Sequence, residues 1–321
     1  MRALVQSGFG SPGQVVLREV VTPEPGVGEV LVRVHAVGLN AADRLMLRGF
    51  PYAIRVGAGG FRRPRPGFVA GRALAGRVVE KGEGVTEFDI GDDVFGEQAG
   101  ALAEIVRVPA GLLARKPVEL SFVEAAALPL GGTTALQTLR DAIRIQAGQR
   151  LLVTGAAGGI GTFAVQIAKS MGAHVTAECA GRNVDRLKAI GADEVRDYAA
   201  AGGPGEGYDA IFDLAGNHSI KELRGALNPG GVLALSVGTG GRLLGPARRI
   251  LGASVTGLFS DRRLKTLVGR PNRTDLQEIS EMSVRPVIDS VYSFEDAAEA
   301  MDRIDRGKIA GKVVVEVVPA G

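Results

Sequence analysis

The chain has 321 residues, 45% hydrophobic and 23% charged, the make-up of a globular protein with room for about two domains. Its formal net charge of +3 is small for that length, and no basic run is interleaved with stacking aromatics, so nucleic-acid binding has no support. A single cysteine excludes an internal disulfide and points to a reducing, cytoplasmic setting.

Met1–Val5 reads as a first strand, because Ser7, Gly8 and Gly10 follow before any apolar run long enough for a secretory leader. No later segment nears the roughly 20 apolar residues of a membrane helix, so no membrane partner is expected. Up to about residue 125 the chain carries short strands and closely spaced turn signals. Val30, Val32, Val34 and Ala36 alternate with Leu31, Arg33 and His35, which predicts a small β-rich domain. The Gly/Pro-rich segment between Tyr52 and Gly71 carries Arg55, Arg62, Arg63 and Arg65, and reads either as a lid or as a solvated surface loop.

From about Glu124 strands and helices alternate. Strands are expected at 150–154, 174–179, 194–197, 208–214, 232–237 and 254–258, the pattern of a parallel doubly wound sheet. At its head, residues 149–161 read Gln-Arg-Leu-Leu-Val-Thr-Gly-Ala-Ala-Gly-Gly-Ile-Gly, a buried strand, a glycine turn and the start of a helix. Ile160, Phe163, Ala164, Ile167, Ala168 and Met171 then repeat at helical spacing until Gly172. This arrangement cradles a dinucleotide pyrophosphate. Gly155 allows the tight exit from the strand, Gly158 keeps a side chain out of phosphate space, and Gly161 lets the helix lie close on the sheet. The backbone amides of Gly158, Gly159, Ile160 and Gly161 are the expected phosphate donors.

Glu178 ends the second strand, 20 residues beyond Gly158, where an acid accepts from a ribose 2′-OH and so favours NADH. Cys179 beside it reads as a small core residue. His35, His174 and His218 are the only histidines, and His218, beside Gly216 in a crevice loop, is the one with a functional prospect. After Asn272 come a polar helix, an extended Arg285–Tyr292, a helix over 294–305 and a final strand over 312–318. The simplest assembly joins 1–125 and 272–321 as one discontinuous domain, with 126–271 inserted and the active site in the crevice between domains.

Gly38-Leu-Asn40-Ala-Ala-Asp43, Gly71-Arg-Ala-Leu-Ala-Gly76, Ala125-Ala-Ala-Leu-Pro129 with Gly132-Thr-Thr134, the glycine turn, Gly191-Ala-Asp193 with Asp197-Tyr198, Pro229-Gly-Gly231, and Arg285-Pro-Val-Ile-Asp289 with Gly311-Lys-Val-Val314 occur in this order. In them the chain resembles the zinc-independent quinone oxidoreductases of the medium-chain dehydrogenase/reductase superfamily, over essentially its whole length. The resemblance implies a GroES-like β-barrel catalytic domain, an inserted Rossmann NADP-binding domain, NADPH as hydride donor, a quinone or α,β-unsaturated carbonyl as acceptor, and a homodimer. It implies Thr134 beside the nicotinamide, with a plain helix N-cap as the alternative reading. Arg182 would pair with the 2′-phosphate and Tyr198 lie near the adenosine phosphate. Asn40 becomes a donor near the nicotinamide or acceptor carbonyl, Asp43 a holder of its loop, and Tyr52 a cleft residue able to donate a proton. Gly238 with Thr239, Leu258 with Phe259, and Lys312 are positional expectations for the rest of the cleft.

Glu178 and Arg182 therefore pull in opposite directions. Because the carboxylate has room to pair with Arg182 or to turn outward, NADPH is favoured and NADH stays open. Ala73 stands where the family usually carries an acid, with Arg72 next to it, which suits an anionic or oxygen-rich acceptor. Asn40 stands where zinc-dependent relatives carry cysteine and Arg72 where they carry histidine, and one cysteine cannot build a four-cysteine site, so no zinc is expected. Direct alcohol oxidation then ranks behind conjugated acceptors, whose developing charge needs only donors and a proton. The alternatives are an enoyl reductase of a biosynthetic pathway, a zinc-free alcohol dehydrogenase, and an NADPH-binding sensor or structural protein without turnover.

Overall fold

A computed structural model of the chain describes residues 1–235, 263–266 and 269–318. In chain order the strands are β1 (Arg2–Gln6), β2 (Val15–Glu19), β3 (Glu29–Leu39), β4 (Ala73–Lys81), β5 (Asp93–Glu97), β6 (Ile105–Pro109), β7 (Leu113–Arg115), β8 (Arg150–Thr154), β9 (His174–Cys179), β10 (Glu194–Asp197), β11 (Tyr208–Asp213), β12 (Leu227–Leu235), β13 (Arg263–Thr266), β14 (Ile288–Ser293) and β15 (Lys312–Glu316). They belong to two compact units, Met1–Thr133 with Pro271–Glu281 and Ile288–Gly321, and Thr134–Arg270 with Met282–Val287.

The first unit is a GroES-like barrel. Its main sheet runs β14-β15-β3-β4-β5-β7, with β6 also paired to β3, and β1 pairs with β2 beside it. Every pairing is antiparallel except β14 with β15. The predicted alternation on β3 sends Val30, Val32, Val34 and Ala36 wholly into the core, while Arg33 faces solvent. His35 stacks on Phe122 at 4.0 Å between ring centres, fastening the helix Phe122–Ala127 to β3. That helix lies so close that a Cβ on Gly38 would sit 2.2 Å from the Ala126 carbonyl oxygen. Gly38 therefore fixes the spacing of strand and helix just ahead of Asn40.

The second unit is a Rossmann sheet of parallel strands in the order β10-β9-β8-β11-β12-β13. Leu151, Leu152 and Val153 of β8 are wholly buried, as a central parallel strand requires. The chain builds from β8 through β9 to β10 and then returns to β11 on the other side of β8. This reversal is where such sheets bind ligands, outside the carboxyl ends of the strands. The helix Gly161–Ser170 buries Phe163, Ala164, Ile167 and Ala168. β12 begins at Leu227, ahead of the expected 232, because Leu227 already pairs with Tyr208. The expected strand 254–258 lies outside the described residues. β13, Arg-Leu-Lys-Thr, was not anticipated, since an edge strand of that composition carries no apolar run. Among the described residues no helix is long and apolar enough to cross a membrane.

Replacing Gly38 by alanine should overpack the β3 contact with the helix Phe122–Ala127 at a cost of about 1–3 kcal/mol, because the obstacle is backbone. Thermal melting should show a midpoint several degrees lower, whereas Gly111→Ala, where a Cβ meets nothing within 4 Å, should leave it unchanged.

Candidate active site and cofactor site

β8 ends at Thr154, and Gly155 turns the chain with φ +64°, the left-handed region open to glycine. The Ala156 N–H donates to the Glu178 carbonyl at 3.0 Å, and the Gly158 N–H donates to the Gly155 carbonyl at 3.0 Å. The amide of Gly158 thus closes the turn. Among the described residues no hydrogen bond engages the amides of Gly159, Ile160 and Gly161, which stand at the first turn of the helix Gly161–Ser170. Free N–H groups at a helix N-terminus form an anion site. A Cβ on Gly158 would meet only the Gly155 oxygen, at 3.3 Å, so this position keeps space open in front of those amides. Gly161 does a different job from the one expected. A Cβ there would lie 2.6 Å from the Ala156 Cα and oxygen, so its glycine lets the turn fold back on itself; contact with the sheet is not what demands it.

The carboxyl ends of the neighbouring strands carry buried polar side chains. Glu178 is wholly buried, and both its carboxylate oxygens lie 2.9 Å from Nε2 of His218. It neither pairs with Arg182 nor turns outward, the two outcomes left open by sequence. Arg182 is exposed on the short turn Gly181–Asn183. The Thr154 hydroxyl donates to Oδ1 of Asp213 at 2.6 Å, and the same oxygen accepts the Gly216 N–H at 3.1 Å, tying β8 to the loop after β11. Burial and the nearby acids Asp197 and Glu178 push the Cys179 thiol up to about 11, which keeps it protonated and unreactive. Tyr198 is half exposed, its N–H on the Cys179 carbonyl. Thr134 sits inside the helix Gly131–Gln137, not at its cap, and a Cβ on Gly269 would fall 2.9 Å from its hydroxyl oxygen. Gly238, Thr239, Leu258 and Phe259 lie outside the described residues.

In the barrel, Asn40, Asp43 and Lys312 meet. The Asn40 N–H donates to Oδ2 of Asp43 at 2.8 Å, fixing the start of the helix Ala41–Arg48, and Nδ2 donates to the Gly38 carbonyl at 2.8 Å. The Lys312 ammonium donates to Oδ1 of Asn40. Lys312 opens β15, whose next residue, Val313, pairs with Leu39 of β3, so strand register delivers the amine to the loop. Lys312 is only 2% exposed. A second buried carboxylate, Glu97, closes β5 directly opposite Ala73 of β4, and Nη2 of Arg72 stands 3.6 Å from its Oε2. A buried carboxylate thus stands directly across the strand pair from Ala73. Glu97 escaped sequence reasoning, although a charge closing the apolar run Val94-Phe95-Gly96 was a signal.

Burial drives Asp43 up to about 6, although the Asn40 N–H and the charges of Lys312 and Arg72 pull the other way. Burial likewise draws Lys312 down to about 8 against Asp43 and Glu97, and raises Glu97. Burial thus favours the neutral form of all three groups. Tyr52 is half-buried on another loop of the barrel unit, edge-on to Phe50 and 4.6 Å from the Arg55 guanidinium. Arg55 also donates to the Gly49 and Phe61 carbonyls and lies over Phe9 and Phe50, which knits this segment together.

Residues 26–118 match the alcohol dehydrogenase GroES-like domain, and residues 190–315 match a zinc-binding dehydrogenase family. The chain is 34% identical to the chloroplastic quinone-oxidoreductase QR1 of Triphysaria versicolor, with 98% of each chain covered. The chain belongs to the medium-chain dehydrogenase/reductase superfamily. Among solved structures, the quinone oxidoreductase of Coxiella burnetii superposes with TM-score 0.85 at 28% identity, covering 99% of both chains. The mycobacterial protein Rv1454c, solved with NADPH, superposes with TM-score 0.79 at 25% identity, over 99% of this chain and 100% of that one. The protein is thus a quinone-oxidoreductase-like member of a superfamily of oxidoreductases.

An aspartate at position 158 would meet little protein and would suit a helix N-terminus, yet its charge would face a bound phosphate. Gly158→Asp should keep the melting temperature within a few degrees and weaken NAD(P)H binding, followed by nucleotide fluorescence, by about tenfold or more.

The folded value near 8 for Lys312 lies below the ordinary 10.5, so its contribution to stability is present above 10.5 and lost as pH falls through 8. Asp43, raised from 3.8 to about 6, contributes below 3.8 and loses that contribution as pH rises through 6. Relative to Lys312→Met, the protein should therefore gain stability as pH rises from about 8 to 10. Denaturation midpoints that run parallel for the two proteins over that interval would contradict it.

Proposed function

We propose that the protein is a zinc-free, NADPH-dependent oxidoreductase that reduces a quinone or an α,β-unsaturated carbonyl. The observation that carries the reading is the pair of features in the cofactor unit. Unengaged amides of Gly159, Ile160 and Gly161 face space kept clear by Gly158, and the one acid suited to a ribose 2′-OH, Glu178, is withdrawn onto His218. The first suits a pyrophosphate, and the second holds on His218 the acid that would otherwise accept from a ribose 2′-OH. The guanidinium of Arg182 is exposed and offers a 2′-phosphate paired donors.

The donor set in the barrel does not suit zinc. Asn40 presents its amide oxygen to an ammonium, Arg72 is a cation beside Glu97, and among the described residues no three His, Cys, Asp or Glu side chains converge on a metal site. Reduced nicotinamide, when bound, supplies the hydride. What this chain adds is hydrogen bonding, charge and protons. Asn40 is held rigidly by Gly38, Asp43 and Lys312, and its second amide hydrogen is left for an acceptor oxygen. Lys312, drawn down to about 8, is a proton reserve behind that amide. A conjugated acceptor needs no stronger electrophile, whereas a simple ketone does.

Oxidation of NADPH should be followed with benzoquinone, a naphthoquinone, a 2-alkenal and an enoyl thioester. A quinone or the alkenal is expected to turn over, and a strong metal chelator should leave the rate unchanged. Turnover of the thioester alone would favour the enoyl-reductase alternative. Loss of activity on chelation, restored by zinc, would overturn the zinc-free reading, and binding of NADPH without turnover of any acceptor would favour a sensor.

A further inference from the structure

We propose that His218 is a positioning residue that sets cofactor preference by holding Glu178 away from the ribose. The inference rests on the NADPH reading above and explains how a chain with an acid at the end of β9 accommodates a 2′-phosphate. Glu178 belongs to β9 and His218 to the loop after β11, the two strands that flank β8. Their contact therefore bridges the sheet at the point where strand order reverses, beneath the glycine turn, whose Ala156 N–H is anchored on the carbonyl of the same Glu178.

A carboxylate buried in this way is costly unless it is paired. Here a single imidazole nitrogen is 2.9 Å from both oxygens, and the His218 side chain is itself only 11% exposed. The pair is thus shielded from water. A ribose hydroxyl reaching Glu178 would have to displace His218, and the carboxylate stays held on that imidazole, not extended toward a 2′-phosphate at the end of β9. Without His218 the carboxylate is left unpaired in the protein. It regains hydrogen bonds by turning to the ribose, where it accepts from the 2′-OH of NADH and repels the phosphate of NADPH. His218 touches neither the reacting atoms nor, in this account, the nucleotide; it acts through Glu178.

The test is calorimetric titration of the protein and its variants with NADPH, NADH, adenosine 2′,5′-bisphosphate and AMP, the last two differing only in the 2′-phosphate. For His218→Ala, the preference for NADPH over NADH, and for the bisphosphate over AMP, should fall about tenfold or more. His218→Gln keeps an N–H donor and should hold both preferences within about threefold of the parent, and Glu178→Gln with His218→Ala should restore them. Glu178→Gln alone should change them less than about threefold, because the acid is already withdrawn. This last variant keeps the test open should His218→Ala fail to fold. A tenfold rise in NADPH preference in Glu178→Gln would overturn the inference, as would a folded His218→Ala whose affinities for the two cofactors move equally. A parent protein that binds NADH more tightly than NADPH would instead overturn the underlying cofactor reading.

Discussion

A charge taken out of water must find a partner inside the protein, and the polar architecture of this chain depends on that requirement. In the cofactor unit it joins Glu178 to His218. In the barrel it gathers Lys312, Asp43 and Glu97 around Asn40, where burial pushes the two acids up and the amine down. Glu178, Glu97 and Lys312 stand at or next to strand ends, Asn40 follows β3, Asp43 lies in the helix after it, and His218 lies in the loop after β11. Burial favours the neutral form of the Lys312 amine and of both acids, against the pull of their mutual charges.

The backbone was largely legible in the sequence. β8, β9 and β10 begin and end where they were expected, β8 because a parallel strand buried on both faces appears as an apolar run, and β10, Glu-Val-Arg-Asp, because the alternation of strands and helices calls for a strand there. β13, with one apolar residue among three polar ones like β10, was not anticipated. At the level of residues the picture divides differently. Asn40, Asp43, Glu178, His218 and Lys312 could each be singled out from type and motif, but their meetings could not. Those depend on register, as between Ala73 and Glu97, or on a loop reaching over a strand, as with His218, and neither is written in local sequence.

Glycine illustrates the same limit. Gly38, Gly155, Gly158 and Gly161 are one letter in the sequence and four constraints in space. One admits a helix onto a strand, one adopts a left-handed turn, one keeps a volume empty, and one lets a turn touch its own backbone. Motif knowledge identified the glycines of the turn as necessary, yet it assigned Gly161 to sheet packing. Only the positions of neighbouring atoms separate these roles.

Lys312 and Asn40 stand 272 residues apart in the chain, with the whole cofactor unit between them. On a ribosome adding roughly 5–20 residues per second, Asp43 and Glu97 emerge on the order of tens of seconds before the amine that accompanies them. Through that interval the barrel lacks its closing strand, and its acids have every reason to stay hydrated. The protein therefore cannot assemble this buried polar cluster piecemeal during synthesis; the cluster is completed by the last strand, β15, and a nascent chain that stalls early carries its acids without their amine.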